Sequence, residues 1–197
     1  QAPFARNAFA QAAPAVVPAG DGFAMITGAG GNILVRTAPS GQVLVASGAA
    51  ASTDALVARL RELPGAGKVT TLFNTHWHRE QVGGNLAFGR AGARIVAHEK
   101  TRARLATDYY LWNEGRYEKA LPPEARPTLT FFTGDRTLAG EKGVEYGHLL
   151  EAHTDGDIYV FFRDANVLAV GDAISPLKDP ELDWFGGGWL GGRADSQ

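Results

Sequence analysis

Asn74-Thr75-His76-Trp77-His78-Arg79-Glu80-Gln81-Val82-Gly83-Gly84-Asn85 is the most informative segment of the chain, and it follows the apolar strand predicted at 70–73. Two histidines spaced two residues apart in an extended loop project to the same side, so His76 and His78 can meet one cation. The Gly83-Gly84 pair allows the backbone to turn tightly into a helix. A lone His-x-His is more often a pair of surface or core histidines than a metal site. Its interpretation therefore depends on the rest of the chain.

Two later segments carry residues of the same kind. His153 lies in the segment 151–157, after one predicted strand and before the next, and the apolar strand at 168–170 ends in Gly171-Asp172. Ligands in α/β folds gather at the carboxyl ends of strands, which is where Asp172 stands. Either residue alone is more often part of a turn. The three segments taken in this order indicate a shared metal site.

Composition limits the chemistry that the chain can perform. The chain has 197 residues, of which 45% are hydrophobic and 20% charged, so it is long enough for one domain with a sizeable core. Its formal net charge of -2 offers no basic surface for nucleic acid. It contains no cysteine, so any metal must be held by His, Asp or Glu. No apolar run approaches the length of about 18 residues that a membrane span requires.

The order of predicted elements is typical of an α/β domain. The first half is predicted to contain β-type runs at 23–27, 32–36 and 42–46, a helix at 53–63 and a strand at 68–73. The second half is predicted to contain helices at 83–88 and 99–119, with strands at 94–97, 128–132, 137–138, 144–150, 157–162 and 167–170. Two β-rich halves, each accompanied by helices, predict a β-sandwich flanked by helices. We assign residues 1–20 to an N-terminal arm and 21–197 to the domain.

Together these segments resemble the metallo-β-lactamase superfamily. That family has a His-x-His-x-Asp-His motif after a strand, a later His often in His-Thr-x-Gly, then Gly-Asp, then a last His. The resemblance runs from about Gly22 to Asp172 and implies an α/β (α+β) fold, the αββα sandwich, without the family's C-terminal part. It also implies that His76, His78 and His153 hold the first metal and that Asp172 bridges toward a second.

The second metal site departs from the family pattern at four positions. Glu80 replaces the Asp of the motif, and Gln81, whose amide is a poor zinc ligand, replaces its second His. The Asp common in an early Val-Asp-Ser-Gly segment is Ala46, and no His follows His153. These departures predict one metal per chain, with Gln81 not among its ligands.

The resemblance implies a zinc-dependent hydrolase that acts on a small-molecule carbonyl substrate: a lactam, ester, thioester, lactone or amide. Three neutral imidazoles leave a fourth position for water, whose pKa falls toward about 7, so that hydroxide becomes available. Asp172 or Glu80 would orient it or act as general base. Two alternatives remain open. One is a metal-binding or ligand-binding protein that lost turnover, and the other is a redox enzyme with one iron held by His76, His153 and Asp172.

Three other residues receive weaker assignments. Trp77 lies between two candidate ligands and either lines the mouth of a substrate pocket or packs in the core. His98 is predicted to cap or flank a helix, and His148 to lie at a strand edge. Neither matches a ligand position.

The two ends of the chain prompt expectations about location and assembly. The first twenty residues are rich in Ala and Pro and resemble the start of a mature exported chain, which indicates a periplasmic or secreted protein; a flexible leader is the alternative. The segment 183–192 is apolar and glycine-rich. Because neither end has a surface of its own to fold on, we expect a homodimer or larger assembly that buries Trp184 and Trp189.

Overall fold

The computed structural model describes residues 13–112, 115–141, 143–175 and 182–195. Its larger sheet has seven strands in the order β1-β2-β3-β4-β5-β6-β9. They are β1 Ala15–Pro18, β2 Phe23–Thr27, β3 Ile33–Ala38, β4 Gly41–Val45, β5 Val69–Phe73, β6 Arg94–His98 and β9 Leu129–Phe131. The first four strands pair antiparallel, and the pairs from β4 to β9 are parallel.

A smaller antiparallel sheet packs on the larger one. It contains β10 Arg136–Thr137, β11 Val144–His148, β12 Ile158–Phe162 and β13 Val167–Ala169. Side chains alternate along β12, so Ile158, Val160 and Phe162 are buried while those between them are partly exposed. The inward side chains join Phe73 and Phe131 of the larger sheet in one hydrophobic core. On the outer face, Leu168 is 57% exposed.

Two of the helices pack on the other face of the larger sheet. The structure places α1 at Thr53–Arg61, α2 at Arg79–Val82, α3 at Asn85–Arg90, α4 at Glu99–Leu105 and α5 at Leu190–Asp195. Leu56 and Leu60 of α1 and Phe88 of α3 pack on Leu44 and Leu72, which forms a second core. The predicted α/β sandwich of the family fold is thus confirmed. Across the described residues, no helix combines the length and apolar character needed to span a bilayer.

The long helix predicted at 99–119 is wrong beyond its first two turns. Helix α4 ends at Leu105, and a hairpin follows, formed by β7 Tyr109–Leu111 and β8 Arg116–Glu118. Aromatic residues favour strands, and Gly115 adopts a φ of 63°, which turns the chain between them. Leu111 of the hairpin is buried against Trp77 and Leu105. This tertiary packing outweighs the helical propensity of the segment.

Part of the predicted N-terminal arm belongs to the sheet. Residues 15–18 form β1, which pairs with β2, and Val16 packs against the core beneath α1. Residues 1–12 of the arm lie outside the described residues.

Candidate metal centre

The four predicted ligands come from three loops at one end of the sandwich. His76 and His78 follow β5, His153 lies in the connection from β11 to β12, and Asp172 lies in a short 3-10 turn after β13. Each loop leaves the carboxyl end of a strand, so the two sheets bring residues distant in sequence to one place.

The candidate ligand atoms converge. One nitrogen or oxygen from each of His76, His78, His153 and Asp172 lies within 4.8 Å of the others. Nδ1 of His78 is 3.2 Å from Nε2 of His153, and Nε2 of His76 is 3.5 Å from an Asp172 oxygen. The three imidazole rings meet edge to face, with centroids 4.7 to 5.0 Å apart. This group could hold a metal ion, as the sequence predicts.

His76 supplies the clearest sign that the group fits a metal. Its Nε2 is buried and makes no hydrogen bond to any described residue, while its Nδ1 lies 3.2 Å from the Thr75 hydroxyl. Burial, together with the neighbouring His78 and His153, holds the pKa of His76 well below its ordinary value. A neutral imidazole with an unpaired lone pair is the form that binds a metal. Without an ion, an orphaned buried polar atom of this kind costs about 1–3 kcal/mol.

Asp183 orients the second histidine. Its Oδ2 accepts a hydrogen bond of 2.9 Å from Nε2 of His78, which leaves Nδ1 of that ring for the centre. Burial alone would lower the pKa of His78, but the hydrogen bond and charge of Asp183, together with the charges of Glu80 and Asp172, outweigh burial and raise this pKa. The same contact and the Gly186 amide lower the pKa of Asp183 in spite of its burial. Carboxylate partners of this kind fix the orientation of metal-binding histidines.

Asp157 orders the loop that carries His153. Its carboxylate accepts hydrogen bonds from the backbone amides of His153 and Thr154 and from the Thr154 hydroxyl. Burial raises the pKa of Asp157 to about 6, although these hydrogen bonds oppose that shift.

Asp157 and Asp183 were not among the site residues predicted from the sequence. For Asp157 a signal existed, because it closes the segment that contains the His-Thr-x-Gly pattern. Asp183 carried no such signal, since its contact with His78 spans 105 positions of sequence.

Gln81 and Asp172, at positions of the family's second metal site, are arranged as hydrogen-bonding partners. The Gln81 amide nitrogen lies 3.3 and 3.4 Å from the two Asp172 oxygens, so this side chain donates to a carboxylate. Asp172 is 42% exposed, and the half-exposed Glu80 reaches within 4.0 Å of His78 Nδ1. Gln81 therefore acts as a partner of Asp172 in this arrangement.

The remaining candidates contribute no ligand atom to this group. Trp77 is buried against Val82, Leu105 and Leu111, and it packs rather than lining the cleft described below. His98 caps α4 and stacks on His148, with ring centroids 3.9 Å apart and planes 13° from parallel. Neither His98 nor His148 joins the metal-binding group.

The glycine-rich tail packs on its own domain, contrary to the expectation that its surface must come from elsewhere. The Asp155 amide donates to the Gly186 carbonyl, and the Trp189 amide donates to the Glu151 carbonyl. A β-carbon on Gly188 would lie 2.1 Å from the His153 carbonyl, so only glycine allows this close approach. These contacts use the backbone and leave Trp184 68% and Trp189 55% exposed.

A cleft of about 1090 Å³ opens beside the centre. Its lining includes five residues of the centre: His78, His153, Glu80, Gln81 and Asp172. The Gly-rich turn between β2 and β3 and the strand β13 with the turn after it form much of the remainder. A cavity of this size admits a small organic molecule.

Comparison with known proteins agrees with this geometry. A model of the metallo-beta-lactamase superfamily matches residues 26–197. The DIM-1 metallo-beta-lactamase superposes with a TM-score of 0.70 and 16% identity, over 93% of this chain and 80% of that one. TMB-1 gives 0.70 and 17% over 93% and 81%, and a metallo-beta-lactamase from Pontibacter korlensis gives 0.67 and 20% over 93% and 82%. Identities this low show a common fold, and the family match covers most of the chain. The chain belongs to the metallo-beta-lactamase superfamily.

Proposed function

We propose that this protein is a zinc-dependent hydrolase that cleaves a carbonyl compound, of the lactam, ester, thioester or lactone type. The observation that carries the proposal is the buried Nε2 of His76, which has no hydrogen-bond partner among the described residues and belongs to a group that brings it together with His78 and His153. These three residues would hold the ion. When bound, zinc supplies positive charge that acidifies a water molecule and polarises a carbonyl group.

The protein's own residues supply orientation and proton transfer. Asp183 and Thr75 fix two of the three imidazoles, so little reorganisation is needed on binding. Asp172 and Glu80 present carboxylates to the cleft and are the candidate general bases. The Gln81 amide holds Asp172 in place by donating to both of its oxygens.

We further propose that each chain binds one metal ion. The Gln81 amide nitrogen, which is a donor, lies where the family motif has a histidine, and the amide is engaged with Asp172. Elemental analysis after dialysis is expected to find about one equivalent of zinc per chain. Two tightly held equivalents would contradict this stoichiometry, and one equivalent of iron would favour the redox alternative.

The decisive experiment combines metal analysis with hydrolysis assays. Protein stripped with a chelator and then reloaded with zinc is assayed against a chromogenic ester, a thioester, a lactone and a β-lactam. We expect turnover that disappears on stripping, returns with zinc and is absent from a His76→Ala variant. Zinc binding without turnover of any of these substrates would refute the hydrolase.

A second function has one observation in its favour. Asp172, the residue best placed to act as base, is hydrogen-bonded to Gln81, and the second-site ligands of the family are replaced. A protein with this site that binds metal without turning over substrate would be a ligand-binding member of the fold. The same pair of measurements separates the two functions.

Assembly and location remain proposals. The exposed Trp184 and Trp189 suit a contact between copies, because aromatic side chains dominate interface energetics. We propose a homo-oligomer in a periplasmic or secreted setting. Light scattering at micromolar concentration is expected to show a dimer that Trp189→Ala shifts toward monomer, and a monomeric wild-type protein would refute it.

A further inference from the structure

The cleft beside the metal centre has a mainly apolar wall. Its apolar lining comes from β2, β3 and β13 and from the turn after β13, and it includes Met25, Leu34, Val167, Ala169, Val170 and Ile174. The same cleft is lined by His78 and His153 of the metal centre, so the apolar wall and these histidines share one cavity.

The apolar character of the wall follows from the sandwich. Met25, Val167 and Ala169 are partly buried and pack against the core between the two sheets. Strand β13 pairs only with β12 among the described strands, so the smaller sheet ends there. The core between the sheets therefore opens toward solvent along β13. An apolar group laid against this opening removes hydrophobic surface from water, which is favourable by about 25 cal/mol per Å².

The charges of the lining are all of one sign in the part of the chain that the structure describes. Glu80 and Asp172 are its charged side chains apart from the histidines, and no Lys or Arg is among the described lining residues. A single divalent cation would be largely balanced by these two carboxylates. Among the described lining residues, a substrate carboxylate would therefore find no Lys or Arg to pair with.

We infer that the substrate is an uncharged carbonyl compound with an apolar acyl group, which lies along the Met25, Val167 and Ala169 wall. The inference rests on the proposed function for its reaction and on the cleft for its selectivity. In the reaction, water adds to the carbonyl carbon and the bond to the leaving oxygen, sulfur or nitrogen breaks. The acyl group keeps the hydroxyl of water, and the leaving atom takes the proton.

Binding to metal-free protein tests the selectivity without turnover. Octanamide and octanoate have the same chain and differ in charge, and each is titrated into isotope-labelled protein while backbone amide resonances are followed. We expect octanamide to shift the amides of Met25, Val167 and Ala169 and to bind at least about tenfold more tightly than octanoate, as one unpaired charge facing carboxylates implies. Equal or tighter binding of octanoate would overturn the inference.

Turnover by the zinc-loaded protein supplies the second test. The matched esters are 4-nitrophenyl hexanoate and mono-4-nitrophenyl adipate, which carries a carboxylate at the far end of the acyl chain. We expect kcat/KM to favour the neutral ester by about tenfold or more, and Ala169→Lys to narrow that ratio by about tenfold by placing a cation in the wall. Ala103→Lys, at an exposed position of α4, is the matched control and should leave the ratio unchanged.

Lys178 lies outside the described residues, so Lys178→Ala is assayed with the same pair of esters. A wild-type preference for the adipate ester that Lys178→Ala removes would overturn the inference, because it would show a cation serving the cleft. The proposed hydrolase and the inferred substrate are refuted by different results. No turnover with a retained preference for octanamide refutes the hydrolase alone, whereas hydrolysis that favours the carboxylate ester refutes the apolar, neutral substrate alone.

Discussion

Two groups of histidines at the same end of the sandwich differ in how their ring nitrogens are used. His76, His78 and His153 meet edge to face with their nitrogens turned toward one another. His98 and His148 stack in parallel, and their Nε2 atoms contact the backbone carbonyls of Phe132 and Asp155. In the first group the buried Nε2 of His76 has no partner among the described residues, whereas in the second both ring nitrogens of His98 and Nε2 of His148 have partners.

The difference separates a binding site from a packing arrangement. Nε2 of His98 donates to a carbonyl and its Nδ1 accepts from the Lys100 amide, so the neutral ring is fully satisfied by the protein. The neutral ring of His76 is satisfied only when something arrives to accept its lone pair. Proximity of histidines is therefore a poor guide to a metal site unless the directions of their nitrogens are considered.

Removing one histidine from each group should give the largest contrast. We expect His153→Ala to lower zinc affinity by more than the about 10- to 100-fold that loss of an outer partner costs, because a direct ligand disappears. His148→Ala is the matched control and should leave the affinity within about twofold. Competition with a chromophoric chelator measures both. Equal losses in the two variants would show that the edge-to-face group is not the site.

The next effect concerns the partner that orients His78. Asp183→Asn keeps the shape of the side chain and removes its charge, so we expect zinc affinity to fall by about 10- to 100-fold. Asp195→Asn, at an exposed position in α5, is the control. Asp183→Asn should also lower the pKa of His78 in metal-free protein, since the hydrogen bond and charge of Asp183 raise that pKa. An unchanged His78 titration, followed by NMR, would contradict this role.

The contrast between the groups also shows what the sequence could predict. His76, His78 and His153 were found because each lies in a short local pattern next to a strand, and the resemblance to the family supplied their order. The stacking of His98 on His148 joins residues on strands β6 and β11 of different sheets, and no local pattern encodes it.

The same limit explains the errors. The strands of the sandwich follow from turn residues and apolar runs, so their predicted positions lie close to those observed. The hairpin β7–β8 was predicted as helix because the partners of Tyr109, which are Trp77 and Phe185, come from distant segments. The tail was assigned to an interface because its fit on 151–155 uses backbone hydrogen bonds, which side-chain patterns do not reveal.

The smallest expected effect is a pH dependence of stability that comes from the stacked pair. Burial is the main cause that lowers the pKa values of His98 and His148, and for His148 the charge of His98 adds to it, while Asp155 opposes the shift in both rings. Because the folded pKa values lie below the ordinary value of 6.5, the unfolded chain binds protons first as the pH falls. The stability contributed by the neutral pair is therefore fully present above about pH 6.5 and is lost as the pH falls through the lower folded values.

In His148→Asn one of these groups is gone and the other loses a like-charged neighbour, so the free energy of unfolding should decline less steeply between about pH 6.5 and 5. Urea unfolding of the metal-free proteins at several pH values measures the two slopes, and the difference between them isolates the pair from the other titrating groups that both proteins share. Parallel curves for wild type and variant would show that the stacked histidines titrate as they do in the unfolded chain.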